Sequence, residues 1–251
     1  MKNSLILLIA VLFTSAYHGF CQKNDLNRLN LKGKISSINE KAFQPISDGA
    51  TLSKGRMVQW YRNTFNTTGN KVEDIKFKAD STIDKRFVYT YNEKGNRQEL
   101  NVFSADNLLT LKVIYQYDLQ GNLLEDISYD GTGQIGKKIV YLYDEYGNVM
   151  EENIYNPDGV LRQKYRYNYS NENNRTETSL HKGSGELERR ITYKRDEKGN
   201  ETEENTFSFD GSLLFSSTNL YEYDKKGNWI KKTNYSNNKP VSITERKILY
   251  F

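Results

Sequence analysis

The stretch YLYDEYGNVMEENIY, running from Tyr141 to Tyr155, decides the fold. Two alternating tyrosines lead into an Asp-Glu-Tyr-Gly-Asn turn, and a Glu and a Tyr stand on its far side. This is one copy of a unit written many times. With the turn residue Gly147 as marker, its equivalents are Gly69, Gly95, Gly121, Asn173, Gly199 and Gly227. They lie 26 residues apart five times in succession and then 28. Asn173 breaks the identity but keeps the physics. A hairpin loop of four or five residues commonly ends at positive φ, which Gly takes freely and Asn tolerates best among the others.

The flanks are equally regular. Six residues before the marker stand Tyr89, Tyr115, Tyr141, Tyr167, Tyr193 and Tyr221. Four before it stand Phe65, Tyr91, Tyr117, Tyr143, Tyr169 and Tyr223, with Arg195 the exception. Four after it come Glu73, Glu99, Glu125, Glu151, Glu177 and Glu203, then Lys231. Eight after it come Phe77, Phe103, Tyr129, Tyr155, His181, Phe207 and Tyr235. A basic row, Arg86, Lys112, Lys138, Lys164 and Arg190, stands seventeen after it.

A second turn in mid-unit (SADN, DGTG or NPDG) leaves two strands per unit, in which aromatic and β-branched residues alternate with period two. The chain therefore reads as all-β, an antiparallel meander of about eight repeated hairpins. Open twisted sheets rarely exceed about ten strands without curling, so the expectation is a coiled or rolled sheet. Its Tyr-rich face turns inward and its charged face outward. The basic row is expected across each hairpin from Asp74, Asp126 and Glu152. KISSINEKAF reads as a degenerate first hairpin followed by a loop over about 44–54, and SITERKILYF as a closing strand. Two extra residues between Gly211 and Gly227 predict a bulge or a longer strand. The division is 1–21 signal peptide, 22–60 N-terminal segment and 61–251 hairpin repeats.

The signature Y-x-Y-D-x-x-G-N in YQYDLQGN, YLYDEYGN and YEYDKKGN resembles the YD repeats of the RHS family. YTYNEKGN and YKRDEKGN are weaker copies. The resemblance covers Tyr61 to Phe251 and points to small exported repeat proteins of the kind found in Bacteroidota. It implies a β-sheet scaffold, since RHS proteins build shells around toxins or form surface and adhesion structures. No core-associated segment, autoproteolytic motif or toxin domain follows the repeats here, so encapsulation does not carry over.

At the N-terminus, Lys2 precedes an apolar run from Leu5 to Phe13 and then small and polar residues. This is the layout of a secretory signal, too short to span a membrane. Cleavage after Cys21 is the preferred reading over lipidation of Cys21, because Phe20 stands where lipoprotein signals place a small residue. Export to the periplasm or cell surface leaves His181 as the one histidine and no cysteine. That excludes disulfides, a thiol nucleophile and a Cys/His metal cluster. A net charge of +4 from 36 basic and 32 acidic residues, interspersed, is a mixed surface and no nucleic-acid footprint.

Candidate chemistry is weighed against repetition. A carboxylate present in six units is structural, since catalysis needs one constellation, and the repeated Glu is expected to accept a hydrogen bond from a Tyr hydroxyl. Asp118, Asp144, Asp196 and Asp224 read as turn caps, one carboxylate per turn being too few for calcium. An outer-membrane barrel is set aside because charged residues on both parities leave no lipid-facing band. The expected function is an exported scaffold or binding module of the cell envelope, not an enzyme and without cofactor or metal. Its partner is an envelope protein or a glycan. The alternatives are a glycan- or peptide-binding protein with a Tyr-lined groove and, further off, an envelope hydrolase. Candidate ligand contacts are Trp60, Trp229, His181 and Arg195, chosen as aromatic anchors or as points where the repeat fails.

Overall fold

The computed structural model of the chain describes residues 24–47 and 51–251. The assigned signal peptide, with His18 and Cys21, lies outside the described residues. A single helical turn, α1 (Asp25–Arg28), precedes the strands. The first hairpins are β1 (Ile35–Ser47) with β2 (Leu52–Phe65), β3 (Lys71–Phe77) with β4 (Ile83–Tyr91), and β5 (Arg97–Ser104) with β6 (Leu109–Tyr117). Next come β7 (Leu123–Asp130) with β8 (Ile135–Tyr143), and β9 (Val149–Tyr155) with β10 (Leu161–Tyr169). The last are β11 (Arg175–Lys182) with β12 (Leu187–Arg195), β13 (Glu201–Ser208) with β14 (Leu213–Tyr223), and β15 (Trp229–Ser236) with β16 (Lys239–Tyr250).

Every strand pairs antiparallel with its sequence neighbours, and β16 pairs back onto β1. The result is a closed barrel, which corrects the expectation of an open coiled or rolled sheet. Closure removes both edges, whose exposed N–H and C=O groups would otherwise template aggregation. The closing strand is the predicted SITERKILYF segment: Ile38 pairs Ile248, Glu40 pairs Arg246 and Ala42 pairs Thr244. The first hairpin is longer than expected, since β1 runs to Ser47 and β2 resumes at Leu52 where a loop over 44–54 was predicted. The two extra residues of the sixth unit lengthen β14.

Both kinds of turn close on one residue at positive φ. Gly147 has φ 79° and Asn173 φ 57° in the first series, and Gly159 has φ 75° in the second. Asp144 caps its turn by accepting from the Tyr146 and Asn148 N–H groups at 3.0 and 2.8 Å. The two series mark the two mouths of the barrel.

Each mid-unit hairpin carries a bulge that sets its register. Phe77 pairs Ile83, but Lys76 pairs Lys85, so Asp84 is the extra residue. A bulge steps the pairing by one, which flips every side chain beyond it to the other face. Consequently the basic row does not face Asp74, Asp126 and Glu152. It shares the outer face with the repeated Glu: Arg86–Glu73 3.7 Å, Lys112–Glu99 2.9 Å, Lys138–Glu125 3.5 Å, Lys164–Glu151 3.0 Å and Arg190–Glu177 2.9 Å. These partly exposed pairs contribute about 0.2–1 kcal/mol each. They also blunt association of the outer surface.

Close packing of successive hairpins is tightest at Gly183, where an added Cβ would stand 2.0 Å from the Leu161 carbonyl oxygen. Gly183→Ala is expected to destabilise the barrel by roughly 2 kcal/mol, as overpacking against backbone does. A denaturant midpoint equal to that of the parent chain would contradict this packing.

Candidate functional site

The inward face is the tyrosine face, and it carries charge as well. Position 5 after each marker points into the lumen: Asp74 is 7% exposed, Asp126 6% and Thr178 4%. Each receives the Tyr at position 20 of its own hairpin. Tyr89 donates to Asp74 at 2.7 Å, Tyr141 to Asp126 at 2.6 Å and Tyr193 to Thr178 at 3.2 Å. Tyr167 likewise bonds Glu152. The Tyr partner is therefore the residue next to the repeated Glu, because the bulge puts Glu73 and its equivalents on the outer face. The second tyrosine, at position 22, donates to the carbonyl of position 2: Tyr91 to Lys71, Tyr143 to Leu123 and Tyr169 to Val149 at 2.7–2.9 Å. Burial raises the pKa of Asp126 and of Glu152, in each case against the Tyr hydrogen bond.

The pattern fails in the unit with the insertion. Two added residues move the tyrosines to Tyr221 and Tyr223 and put Asn219 at position 20. Tyr221 takes the position-22 role, donating to the Glu201 carbonyl at 2.8 Å, and Asn219 bonds the same carbonyl at 3.0 Å. Glu204, at position 5, thus has no Tyr donor at position 20. It bonds Glu201, and burial together with the neighbouring Glu204 carboxylate pushes Glu201 up to about 7. Burial also raises Glu204 and lowers Lys232.

Two of the four sequence-predicted contacts belong to this region. Arg195 lies 3.7 Å from Glu201. Trp229 packs 5.9 Å from Tyr221, with the Arg246 guanidinium 3.3 Å from its ring centroid. Arg246 is in turn held by Glu40 at 2.7 Å across the β1–β16 seam. The other two are elsewhere. Trp60 is on the outer face, stacked on Phe77 at 4.3 Å and donating to Asn39. His181 is also outside, bonded to Ser179 and to the Gly185 carbonyl at 3.1 Å each.

Sequence reasoning passed over the N-terminal segment, which crosses the mouth formed by the Gly-Asn turns. Eight stations ring that mouth: seven turns and the seam between β16 and β1. Asn24 donates to the Thr68 carbonyl at 2.7 Å, and the Leu26 N–H to that of Gly69 at 3.0 Å. Asp25 is gripped by three donors of the wall: Arg97 Nη2 at 2.9 Å, the Tyr91 hydroxyl at 2.5 Å and the Lys71 N–H at 2.9 Å. Five residues on, Asn30 donates to the Lys198 carbonyl at 2.6 Å. Asn228 then holds Lys32 by both its N–H and its carbonyl, at 2.7 and 2.9 Å. The turns at Gly95 and Gly199 are four stations apart in either direction, so this strap joins opposite sides of the mouth. Beneath it Leu26 and Leu31 pack with Ile35, Ile38 and Phe65 into a hydrophobic cluster.

Burial alone would raise the Asp25 pKa, but Arg97, the Tyr91 and Lys71 hydrogen bonds and Arg28 outweigh it and the net shift is downward. For Arg97, burial is likewise outweighed by Asp25 and three tyrosines, so the guanidinium stays charged. The ion pair is nearly inaccessible, at 6% and 5% side-chain exposure. The sequence held one sign of this site: position 2 is Arg in two units only, at Arg97 and Arg175.

Comparison with solved structures agrees with the barrel. A porin-like protein from Bacteroides uniformis is 12% identical with TM-score 0.59, over 87% of this chain and 98% of that one. A porin-like protein from Bacteroides vulgatus is 12% identical with TM-score 0.49, over 86% and 98%. The Photorhabdus luminescens Tc holotoxin pore is 11% identical with TM-score 0.26, over 78% of this chain and 13% of that one. The first of these likenesses shows the fold, and at such identity the fold alone. No curated protein matches the sequence. A family model described as "Uncharacterised protein" matches residues 28–198, and the chain belongs to that family.

Proposed function

We propose that the chain is an exported binding module of the cell envelope, a barrel whose lumen is closed at one mouth by its own N-terminal strap. The observation that carries this reading is the strap running from the Gly95 side to the Gly199 side of the mouth. It favours a compartment entered from the opposite mouth over a through-channel. The signal-like N-terminus and the YD-type units support an envelope location and a repeat-built scaffold. The Tyr-lined surface is the lumen and not an open groove, and the hydroxyls described above are engaged by acids and carbonyls of the wall and, for Tyr193, by the Thr178 hydroxyl. A catalytic role gains no support from the lumen acids Asp74, Asp126 and Glu152, which share one Tyr-bonded role.

No described helix is long and apolar enough to cross a membrane. For the strands, the outer rows of Glu and Lys/Arg argue against a lipid-facing wall, since one basic side chain at the bilayer midplane costs about 2–4 kcal/mol. The chain, purified without detergent, is expected to be monodisperse and to add no solute flux to phospholipid vesicles. It is expected to retain a glycan or peptide on an array of envelope components. Detergent dependence with vesicle flux would overturn the reading in favour of a pore. Silence on the array from a folded chain would reduce it to a scaffold.

A further inference from the structure

The grip on Asp25 is a carboxylate receptor built from the wall of the barrel. Its parts come from three consecutive strands: the Lys71 N–H from β3, the Tyr91 hydroxyl from β4 and Arg97 from β5. The Arg97 guanidinium is set between Tyr89 and Tyr115, 4.5 and 5.9 Å from their ring centroids. The carboxylate itself is not part of the wall. It arrives on the strap, which stands outside the repeat.

Because the wall repeats, the receptor is written a second time. Moving on three units, Lys71, Tyr89, Tyr91, Arg97 and Tyr115 become Val149, Tyr167, Tyr169, Arg175 and Tyr193. The geometry repeats with them. Tyr169 donates to the Val149 carbonyl at 2.8 Å as Tyr91 does to that of Lys71 at 2.7 Å. Arg175 lies 3.9 Å from the Tyr167 ring centroid and hydrogen-bonds Tyr169. Tyr167 is 9% exposed and Val149 1%, while Arg175 is half-buried where Arg97 is 5% exposed, so the second platform is the more open of the two. What differs is the partner. The strap's described bonds reach the turns at Gly69, Gly95, Gly199 and Gly227. Among the described residues Arg175 makes no ion pair. Its charge acts on Glu152, which holds the place of Asp74 and is bonded by Tyr167 as Asp74 is by Tyr89.

We propose that Arg175, with Tyr167 and Tyr169, is a binding site for a carboxylate ligand, and that Asp25 on Arg97 is the intramolecular copy of that recognition. Arg is suited to it: a planar guanidinium presents paired donors to a carboxylate while its face stacks on an aromatic ring. Lining by tyrosines adds a low-dielectric surround that strengthens the pairing. The chemistry selects a carboxylate and is indifferent to whether an acidic side chain or a uronic sugar bears it. The site rests on the reading of the lumen as a binding compartment and names what that compartment recognises.

The test is an NMR titration of the full chain with labelled tyrosines, using N-acetylaspartate α-amide and glucuronate as probes and N-acetylasparagine α-amide as the uncharged control. Saturable shifts of the Tyr167 and Tyr169 resonances are expected with one or both acids and not with the control. Which acid titrates tells the two sources apart. Arg175→Gln is expected to weaken the response at least tenfold and Arg175→Lys several-fold. Asp25→Asn is expected to add a second responding set at Tyr89 and Tyr91. Absence of saturable shifts at Tyr167 and Tyr169 would overturn the proposal, as would an unchanged titration in either Arg175 variant. The Lys variant decides the matter where the Gln variant does not fold. A chain that passes the vesicle and array tests but leaves these tyrosines unmoved removes this site and keeps the compartment.

Discussion

Asp25→Ala is expected to lower the unfolding free energy by about 3–5 kcal/mol, the usual consequence of leaving one member of a buried ion pair without its partner. For a chain of this size that corresponds to a fall in Tm of roughly 10 °C. The reason is specific to the strap. Arg97 has 6% side-chain exposure, so once the carboxylate is removed its charge cannot be rehydrated without opening the mouth. The Lys71 N–H and the Tyr91 hydroxyl lose their acceptor at the same moment. The double variant Asp25→Ala/Arg97→Met removes both charges and is expected to recover a large part of the loss. Protease cleavage within residues 24–34 should accelerate in the single variant. A single variant within 0.5 kcal/mol of the parent chain would show that the strap is not anchored there. In pH terms, the Asp25 carboxyl is held below its ordinary value. Its contribution is therefore present above the ordinary Asp range of about 4 and is lost as pH falls through the depressed folded value.

Glu201→Gln is expected to act in the opposite direction, and only at higher pH. Burial and the adjacent Glu204 push the Glu201 pKa up to about 7. A raised folded value means that the protonated form is the one folding favours. Stability from this group is complete below about 4.5 and declines as pH rises through 7. By pH 8 the parent chain should have lost about 3 kcal/mol that the amide variant retains. Chemical denaturation at pH 4.5 and pH 8 reads the difference directly: nearly equal midpoints at the lower pH, a higher midpoint for Glu201→Gln at the upper. A variant less stable than the parent at pH 8 would mean that the Arg195 contact at 3.7 Å outweighs the carboxylate repulsion.

What the sequence made legible was whatever every unit must repeat. The turn glycines and Asn173 are constrained by positive φ, the tyrosines by the need to fill and hydrogen-bond an inward face, and both are visible as fixed spacings. The count of strands followed from the same spacing. The bulges were not legible. Their extra residues, Asp84 and its equivalents Thr110, Gly136, Arg162, Glu188 and Leu214, share no chemistry because none has a ladder partner across the hairpin. One uncounted residue per hairpin was enough to assign the Tyr partners to Glu73 instead of Asp74, and to set the basic row opposite the wrong side chains. Closure was hidden for a different reason. It depends on complementarity between two strands at the ends of the chain, and no local pattern reports it.

The candidate sites show the same division. Arg195 stood out as a failure of the repeat and Trp229 as an aromatic anchor, and both lie in the lumen region of Glu201 and Tyr221. Trp60, the other aromatic anchor, and His181, the other break in the repeat, occupy outward parities. Asp25 belongs to no repeat, so nothing in its surroundings marked it. Its partner Arg97 was detectable only by aligning a position that varies from unit to unit.

The closed barrel is tested most directly by a single crosslink across the seam. Lys41 and Glu245 are paired on β1 and β16, on the outer face of the wall. Cysteines at both positions, with Cys21→Ser so that no other thiol is present, are expected to form an intramolecular disulfide on mild oxidation of the monomer. The product should run as a monomer, and its denaturant midpoint should rise. If the thiols remain reduced, or if they crosslink only between molecules, β1 and β16 are separate edges, and the barrel, its lumen and the strapped mouth fall together.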